Sequence, residues 1–252
     1  MRALLLTALM LTAAPAAASP SADAFAAGKF ADAAAIGRKE ATAQSLLTAG
    51  RALATQAAWQ TTDRETARKM LVQAEADLTA SLALAPGNPD ALLQRAVVIG
   101  YQAKLAKSPG LAKQARAGFE AVLAKEPGSA LAQGAMGGWH GEAVATLGKF
   151  LAGTALGAKE AEAIRWFDKA VATRGGDPAI PLFYASTLLG LSADNAAKAK
   201  ALLQRAVKAA PADGFDRLMQ ANARAILAPL DKGDVKTAQA TAKRLSPLGS
   251  VR

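Results

Sequence analysis

Residues able to do acid–base, nucleophilic or metal chemistry are few in this chain. The sequence has one histidine, His140, and no cysteine, which removes thiol catalysis, disulfides and sulfur-based zinc sites. A metal site at His140 would need to be completed by carboxylates alone. No Gly-x-Ser-x-Gly nucleophile motif and no glycine-rich phosphate-binding loop occurs. We therefore predict that the protein is not an enzyme and uses neither a cofactor nor a metal.

The single histidine lies in the most distinctive segment of the chain. Residues 134–143 read Gly-Ala-Met-Gly-Gly-Trp-His-Gly-Glu-Ala. Glycine inside a helix costs about 1 kcal/mol relative to alanine, so three glycines within five residues predict close backbone contact with a neighbouring helix or a bound partner. Trp139 and His140 have two interpretations. They are packed core residues, which their apolar surroundings favour, or they contact a ligand.

The first 18 residues predict export. Met1-Arg2, the uncharged apolar run at 3–11 and the ending Ala16-Ala17-Ala18 match the three parts of a secretory signal peptide, with cleavage expected after Ala18. The apolar run is shorter than the roughly 20 residues that span a bilayer. We expect a signal peptide at 1–18 and one domain at 19–252, which does not span a membrane and resides in the periplasm of a Gram-negative bacterium.

The charge of the chain has two interpretations. The formal net charge is +10, which favours anionic partners such as acidic peptides. Nucleic acid is not an expected partner, because export takes the chain away from it. Lys and Arg residues are dispersed along the sequence, however, and dispersed charge is typical of solvated helix faces.

The composition predicts an all-α fold. Alanine and leucine dominate, aromatic residues make up only 5% of the chain, and β-branched residues form no alternating runs. Turn signals divide the sequence into segments of helical length. These signals lie at Gly28 and at residues 86–89, 108–110, 126–128, 175–178, 211–214 and 231–233.

A small–large–small pattern at positions i, i+4 and i+7 recurs along the chain, which places three residues on one helix face. The clearest case is Ala163, Phe167 and Ala170. Small residues allow a neighbouring helix to approach, and the large residue fills the space between them. In three further sets a proline follows five residues later: Ala74, Leu78, Ser81 and Pro86; Ala115, Phe119, Val122 and Pro127; Ala199, Leu203, Ala206 and Pro211.

This pattern resembles the second helix of the tetratricopeptide repeat, a pair of antiparallel helices of about 34 residues. The resemblance implies a right-handed solenoid of about five helix pairs plus an N-terminal partial pair at 21–40, forming one cooperative domain. The small residues that begin the pattern are Ala33, Ala74, Ala115, Ala163, Ala199 and Val235. First helices are expected at about 41–58, 89–107, 129–156, 178–191 and 214–230, and second helices at about 63–85, 109–125, 158–173, 193–209 and 233–245. The alternative is an irregular helical bundle.

The segment Gly138-Trp139-His140-x-Glu142, the long helix after it and the repeat at 162–167 resemble one branch of the tetratricopeptide proteins. That branch comprises the regulator of microtubule dynamics family and its exported bacterial relatives. The resemblance implies a fold and a binding role, and it implies no enzymatic activity.

These observations predict a non-enzymatic interaction or scaffold module. Its concave surface, formed by the first helices, would receive a peptide or a protein segment, and basic residues there would favour an acidic partner. The alternative is a small-molecule-binding or transporter-accessory protein with a pocket near Trp139 and His140. Candidate contact residues are Gln94, Arg95, Trp139, His140, Tyr184, Arg217 and Arg224.

Overall fold

The computed structural model describes residues 19–174 and 176–252, so the predicted signal peptide lies outside the described residues. Within those ranges the chain is all-α and contains no strand. A short π-helix, Ala152–Leu156, follows α7, and one 3-10 turn, Ala193–Asn195, precedes α10. The helices are α1 (Pro20–Ala26), α2 (Phe30–Glu40), α3 (Ala43–Trp59), α4 (Arg64–Leu84), α5 (Pro89–Ala106), α6 (Pro109–Lys125), α7 (Ala130–Leu151), α8 (Glu160–Thr173), α9 (Ala179–Leu191), α10 (Ala196–Lys208), α11 (Gly214–Asp231) and α12 (Val235–Leu245).

Helices that follow one another in sequence pack against one another in space, from α1 to α12. This arrangement confirms the predicted all-α helical-repeat solenoid. Its helix bounds lie close to the predicted ones because the signals that set them are local. Thr42, Asp63 and Ser108, for example, each cap the following helix by accepting a hydrogen bond from a backbone amide, which stabilises a helix by about 1 kcal/mol. None of the described helices is both long and apolar enough to cross a bilayer.

The small–large–small pattern forms the core face of the second helices. Ala163, Phe167 and Ala170 on α8 are fully buried, and the equivalent residues of α4, α6 and α10 are buried as well. A Cβ atom on Gly137 of α7 would lie 2.6 Å from the Phe167 ring. A Cβ on Gly141 would lie 2.3 Å from Thr187 of α9. These two glycines of α7 therefore make room for neighbouring helices.

The predicted long helix at 129–156 is kinked. Gly148 has φ 79° and ψ 158°, a conformation outside the helical region, and the chain continues as a helix to Leu151 and then as the π-helix. A positive φ of this kind favours glycine because other residues carry a Cβ atom. The kink turns the last part of α7 away from the direction of its first part.

The first helices of distant pairs meet around Trp59, at the end of α3. Its ring contacts Tyr101 of α5 and Phe183 of α9 at 6.2 Å each, and Phe215 of α11 at 5.6 Å, between ring centroids. We call these four residues the aromatic cluster. In an open solenoid α3 and α9 would be separated by two intervening pairs, so their contact shows that the superhelix closes on itself.

The C-terminal residues complete this closure. The Trp59 indole N–H donates to the Leu245 carbonyl at 2.9 Å, and the Leu248 N–H donates to the Ala58 carbonyl at 2.8 Å. At the other side of the junction, the Arg217 guanidinium on α11 donates to the Ala26 carbonyl at the end of α1. The aromatic cluster therefore occupies part of the side, formed by the first helices, that is predicted to receive a partner.

Candidate binding cleft

The seven residues predicted to contact a partner do not form one surface. Tyr184 is fully buried on α9, where its ring stacks on Phe167 with a centroid separation of 4.9 Å. Its hydroxyl donates to Asp168 Oδ1 at 2.7 Å and accepts from Lys198 Nζ at 2.5 Å. Burial raises the pKa of Tyr184 to about 12. This tyrosine packs the core and ties α8, α9 and α10 together.

The other predicted residues outside α7 lie on two separate helices. Gln94 and Arg95 are half-buried on α5, and Arg95 Nη2 lies 3.5 Å from Glu75 Oε1 of α4. Arg217 and Arg224 are exposed on α11, where Arg217 is bonded to the end of α1. Only Trp139 and His140 are brought together, with their rings edge to face at 4.9 Å.

Trp139 joins α7 to α6. Its indole N–H donates to the Ala112 carbonyl at 2.8 Å, and the Arg116 guanidinium lies over its ring at 5.2 Å from the centroid. Arg116 in turn donates from Nη1 to the Leu156 carbonyl in the π-helix, at 3.3 Å. These contacts hold the kinked end of α7 against α6.

His140 is buried, with 3% of its surface exposed. Its Nδ1 accepts the Lys159 backbone N–H at 3.2 Å, so the neutral ring must carry its proton on Nε2. Burial, with the nearby Arg116 charge adding to it, lowers the pKa of His140 to about 4. Both interpretations of this residue from the sequence have some basis here, because His140 is packed with one hydrogen bond and also lines an open cleft.

That cleft has a volume of about 490 Å³ and opens between the second helices α6 and α8, with α7 at its base. At this place α6 packs on α7 less extensively than α4 packs on α5 or α10 on α11. We call this opening the α6–α8 cleft. Its lining residues are Arg116, Glu120, Leu123, Ala124, Met136, His140, Gly157, Lys159, Glu162, Arg165 and Trp166.

The charged side chains of the cleft form two ion pairs and leave one cation over. Arg116 Nε lies 2.8 Å from Glu120 Oε1 within α6, and Arg165 Nη2 lies 2.5 Å from Glu162 Oε2 within α8. The Lys159 side chain has no ion-pair partner among the residues that the structure describes. With His140 neutral, three cations against two carboxylates leave one net positive charge.

Sequence reasoning did not select Arg116, Lys159 or Arg165. A signal for the two arginines was present, because each lies three or four residues from a glutamate on a second helix. Such pairs occur on the surfaces of many helices, however, and all the predicted contact residues lie on first helices. These two pairs differ from other surface pairs because they lie on opposite sides of His140. This arrangement results from the packing of α6 and α8 on α7, which the sequence does not show.

The neutral state of His140 predicts that stability falls as pH decreases from about 6.5 to about 4. In that window the unfolded chain binds the imidazole proton and the folded chain does not, so acid favours unfolding. The shift of the pKa from 6.5 to about 4 corresponds to about 3 kcal/mol, at about 1.4 kcal/mol per unit. The loss of stability ends near pH 4, where His140 is protonated in the folded state too. Urea unfolding at pH 7.0, 5.5 and 4.5 measures this loss.

His140→Asn is the matched variant for this measurement. The asparagine amide oxygen can accept the Lys159 N–H and does not titrate, so the free energy of unfolding of the variant should depend less steeply on pH over the same window. Equal slopes for the two proteins would contradict a neutral, buried His140.

No three His, Asp or Glu side chains in the described ranges are grouped so that they could share a metal ion. In comparisons with known proteins, no protein-family model matches the chain and no curated protein matches it.

Proposed function

We propose that this protein is a non-enzymatic binding module of the tetratricopeptide type, exported to the periplasm, which holds a peptide or protein partner at the α6–α8 cleft. The observation that carries the proposal is the open, charged cleft, on a solenoid whose first helices meet at the aromatic cluster. A helical-repeat fold is compatible with a protein-interaction module. The partner site lies on the side of the second helices.

Exposed apolar side chains at the end of α7 support a protein partner. Leu147, Phe150 and Leu151, at the kinked end of α7, are 41%, 78% and 55% exposed. We call these three residues the apolar edge. The segment that follows them leads to Gly157 and Lys159 of the cleft, and Lys149 Nζ lies 2.8 Å from Glu160 Oε2 at the start of α8. Contiguous exposed apolar residues with a central aromatic are typical of protein interfaces.

The residues of the cleft suit holding a partner better than transforming it. His140 has a pKa of about 4, which makes it a weak general base at neutral pH, where an effective base has a pKa near the working pH. The glutamates of the cleft are paired with arginines of their own helices. Arginine, lysine and tryptophan side chains bind anionic and apolar groups of a partner by hydrogen bonds, charge and stacking.

Site-specific photo-crosslinking in the periplasm of the source cell tests this function. A photo-reactive residue replaces Phe150 in one chain and Leu84, which is 59% exposed on α4, in a control chain. We expect a discrete adduct from position 150 and none from position 84. Excess unmodified chain should compete for the partner, and the Phe150→Ala chain should compete about tenfold less well, the loss typical of an exposed aromatic at an interface. Equal adducts from both positions, or equal competition, would overturn the proposal.

The second candidate function is binding of a small molecule, in a protein that accompanies a transporter. The observation that favours it is the volume of the cleft, about 490 Å³, which lies within the roughly 300–1,000 Å³ of small-molecule pockets. A thermal-shift screen with a metabolite library separates the two functions. A small ligand that fits within the cleft should stabilise the chain and its Phe150→Ala variant equally, because Phe150 lies outside the cleft. A library without any stabilising compound would exclude this candidate.

A further inference from the structure

We propose that the α6–α8 cleft binds a single carboxylate group attached to an apolar body. The inference rests on the proposed function, since it takes the cleft as the binding site, and it adds the chemistry of what is bound. Three features of the cleft lead to it: an unused donor on a buried side chain, unused donors on the surrounding cations, and one net positive charge above an apolar floor.

The unused donor belongs to His140. The ring is 3% exposed and lines the cleft, and its Nδ1 is occupied by the Lys159 N–H. The Nε2–H has no hydrogen-bond partner within the described part of the chain. Solvent reaches this N–H from the cleft, so a ligand in the cleft can reach it too. A ligand oxygen at this position would supply the missing acceptor.

The arginines around His140 also have N–H groups without a hydrogen-bond partner in the described part of the chain. Arg116 uses Nε and Nη1 for Glu120 and the Leu156 carbonyl, which leaves Nη2. Arg165 uses Nε and Nη2 for Glu162, which leaves Nη1. The Lys159 side chain has no ion-pair partner in the described part of the chain, although Glu160 and Glu162 lie in the first turn of α8. The unused groups of His140, Arg116 and Arg165 are donors, so the ligand group that they fit is an acceptor with negative charge.

The balance of charge selects the kind of anion. Arg116, Lys159 and Arg165 carry three positive charges, and Glu120 and Glu162 carry two negative ones, so one positive charge is left. A carboxylate carries one negative charge and neutralises it, whereas a dianionic phosphate would leave the cleft negative. The remaining lining is largely apolar and includes Leu123, Ala124, Met136 and Trp166. The ligand is therefore a monocarboxylate with an aliphatic or aromatic body, either a free acid or the C-terminus of a peptide.

Isothermal titration calorimetry at pH 8, where inorganic phosphate is mainly the dianion, tests the ligand class on the purified full chain. The probes are hexanoate, hexanamide and inorganic phosphate. Hexanoate should bind at least about tenfold more tightly than the uncharged amide, the difference expected from one charge-assisted hydrogen bond, and more tightly than phosphate. Equal binding of acid and amide, or preferred binding of phosphate, would overturn the inference.

Variants test the residues. Glutamine at position 140 keeps an N–H group near the place of Nε2, so His140→Gln should bind hexanoate nearly as well as the wild type, and His140→Leu should bind it at least about tenfold less tightly. Arg165→Gln should weaken binding without affecting folding, since Arg165 has 45% of its side chain exposed. Arg224→Gln, an exposed arginine of α11, is the control. Unchanged affinity in both His140→Leu and Arg165→Gln would overturn the inference.

The source of the carboxylate is decided with acetyl-Gly-Leu-Leu as the free acid and as the C-terminal amide. Tighter binding of the peptide acid than of hexanoate identifies a peptide C-terminus, and the reverse order identifies a free acid. Both orders support a carboxylate site, and equal affinities of peptide acid and peptide amide contradict it.

If these tests fail while the crosslink from position 150 persists, the carboxylate inference is wrong and the proposed function remains. If hexanoate binds and the crosslink is absent, the protein-binding function is wrong.

Discussion

Replacing Phe167 by alanine is expected to lower the free energy of unfolding by about 3–5 kcal/mol, the range for a phenylalanine removed from a core. Phe167 has no exposed surface. Its ring stacks on Tyr184 with planes 7° apart, and it lies against Gly137 of α7. The alanine variant loses these contacts and leaves a cavity among α7, α8 and α9. Because a domain of this kind is stable by only about 5–15 kcal/mol, the variant should unfold at a clearly lower urea concentration.

Phe150→Ala is the matched control for this prediction, because it makes the same chemical change at a residue that is 78% exposed. Its free energy of unfolding should stay within about 0.5 kcal/mol of the wild type, as for most surface substitutions. Similar losses in the two variants would show that Phe167 is not the packing centre of this part of the solenoid.

A double-mutant cycle identifies the contact responsible. In the wild type, Gly137→Ala should destabilise by up to about 2 kcal/mol. The new methyl group would lie 2.6 Å from the Phe167 ring and overpacking costs about 1–3 kcal/mol, whereas alanine in place of a helical glycine returns about 1 kcal/mol. In the Phe167→Ala background the ring is gone, so the added methyl should cost much less. Additive effects of the two substitutions would contradict direct contact, since residues in contact couple.

The sequence predicted the helices well because helix limits depend on local chemistry. Proline and glycine at 86–87 and at 127–128 end α4 and α6, and the residue pattern of each second helix marks one buried face. The sequence also located the segment that contains His140. It predicted no kink in α7, because the positive φ of Gly148 cannot be distinguished in advance from the helical glycines at 137 and 138.

The closure of the solenoid could not be predicted in the same way. It depends on the angle between successive helix pairs, which accumulates along the chain and is set by the packing of every interface. Trp59 and Phe183 are far apart in sequence, and neither is marked by a local pattern. Tyr184 was predicted to contact a partner, yet it is buried because α9 packs against α7, α8, α10, α11 and α12. A helix that is apolar on all sides gives no indication of which face is open.

Replacing Trp59 by alanine is expected to open the solenoid and to lower the free energy of unfolding by about 3 kcal/mol. This value is near the lower end of the range for tryptophan-to-alanine substitutions, because Trp59 is only partly buried. Trp59 contacts Tyr101, Phe183 and Phe215 on three other helices, and its indole N–H binds the Leu245 carbonyl. Trp59 packs against the edge of the C-terminal core and is not one of the buried residues that form the cores of the helix pairs. The variant should therefore keep its helix content while its radius of gyration, about 18 Å for a compact chain of this length, increases in small-angle X-ray scattering.

Trp59→Phe separates the two roles of this side chain. Phenylalanine keeps an aromatic ring among Tyr101, Phe183 and Phe215 but cannot donate to the Leu245 carbonyl, so the variant should lose about 1 kcal/mol, the usual contribution of one hydrogen bond, and should not expand. If Trp59→Ala loses stability without expanding, the backbone bond from Leu248 to Ala58 would be sufficient to keep the solenoid closed. If the alanine variant expands and the phenylalanine variant does not, ring packing at Trp59 closes the solenoid. The expanded alanine variant would then expose the first-helix surface that an open solenoid offers to a partner.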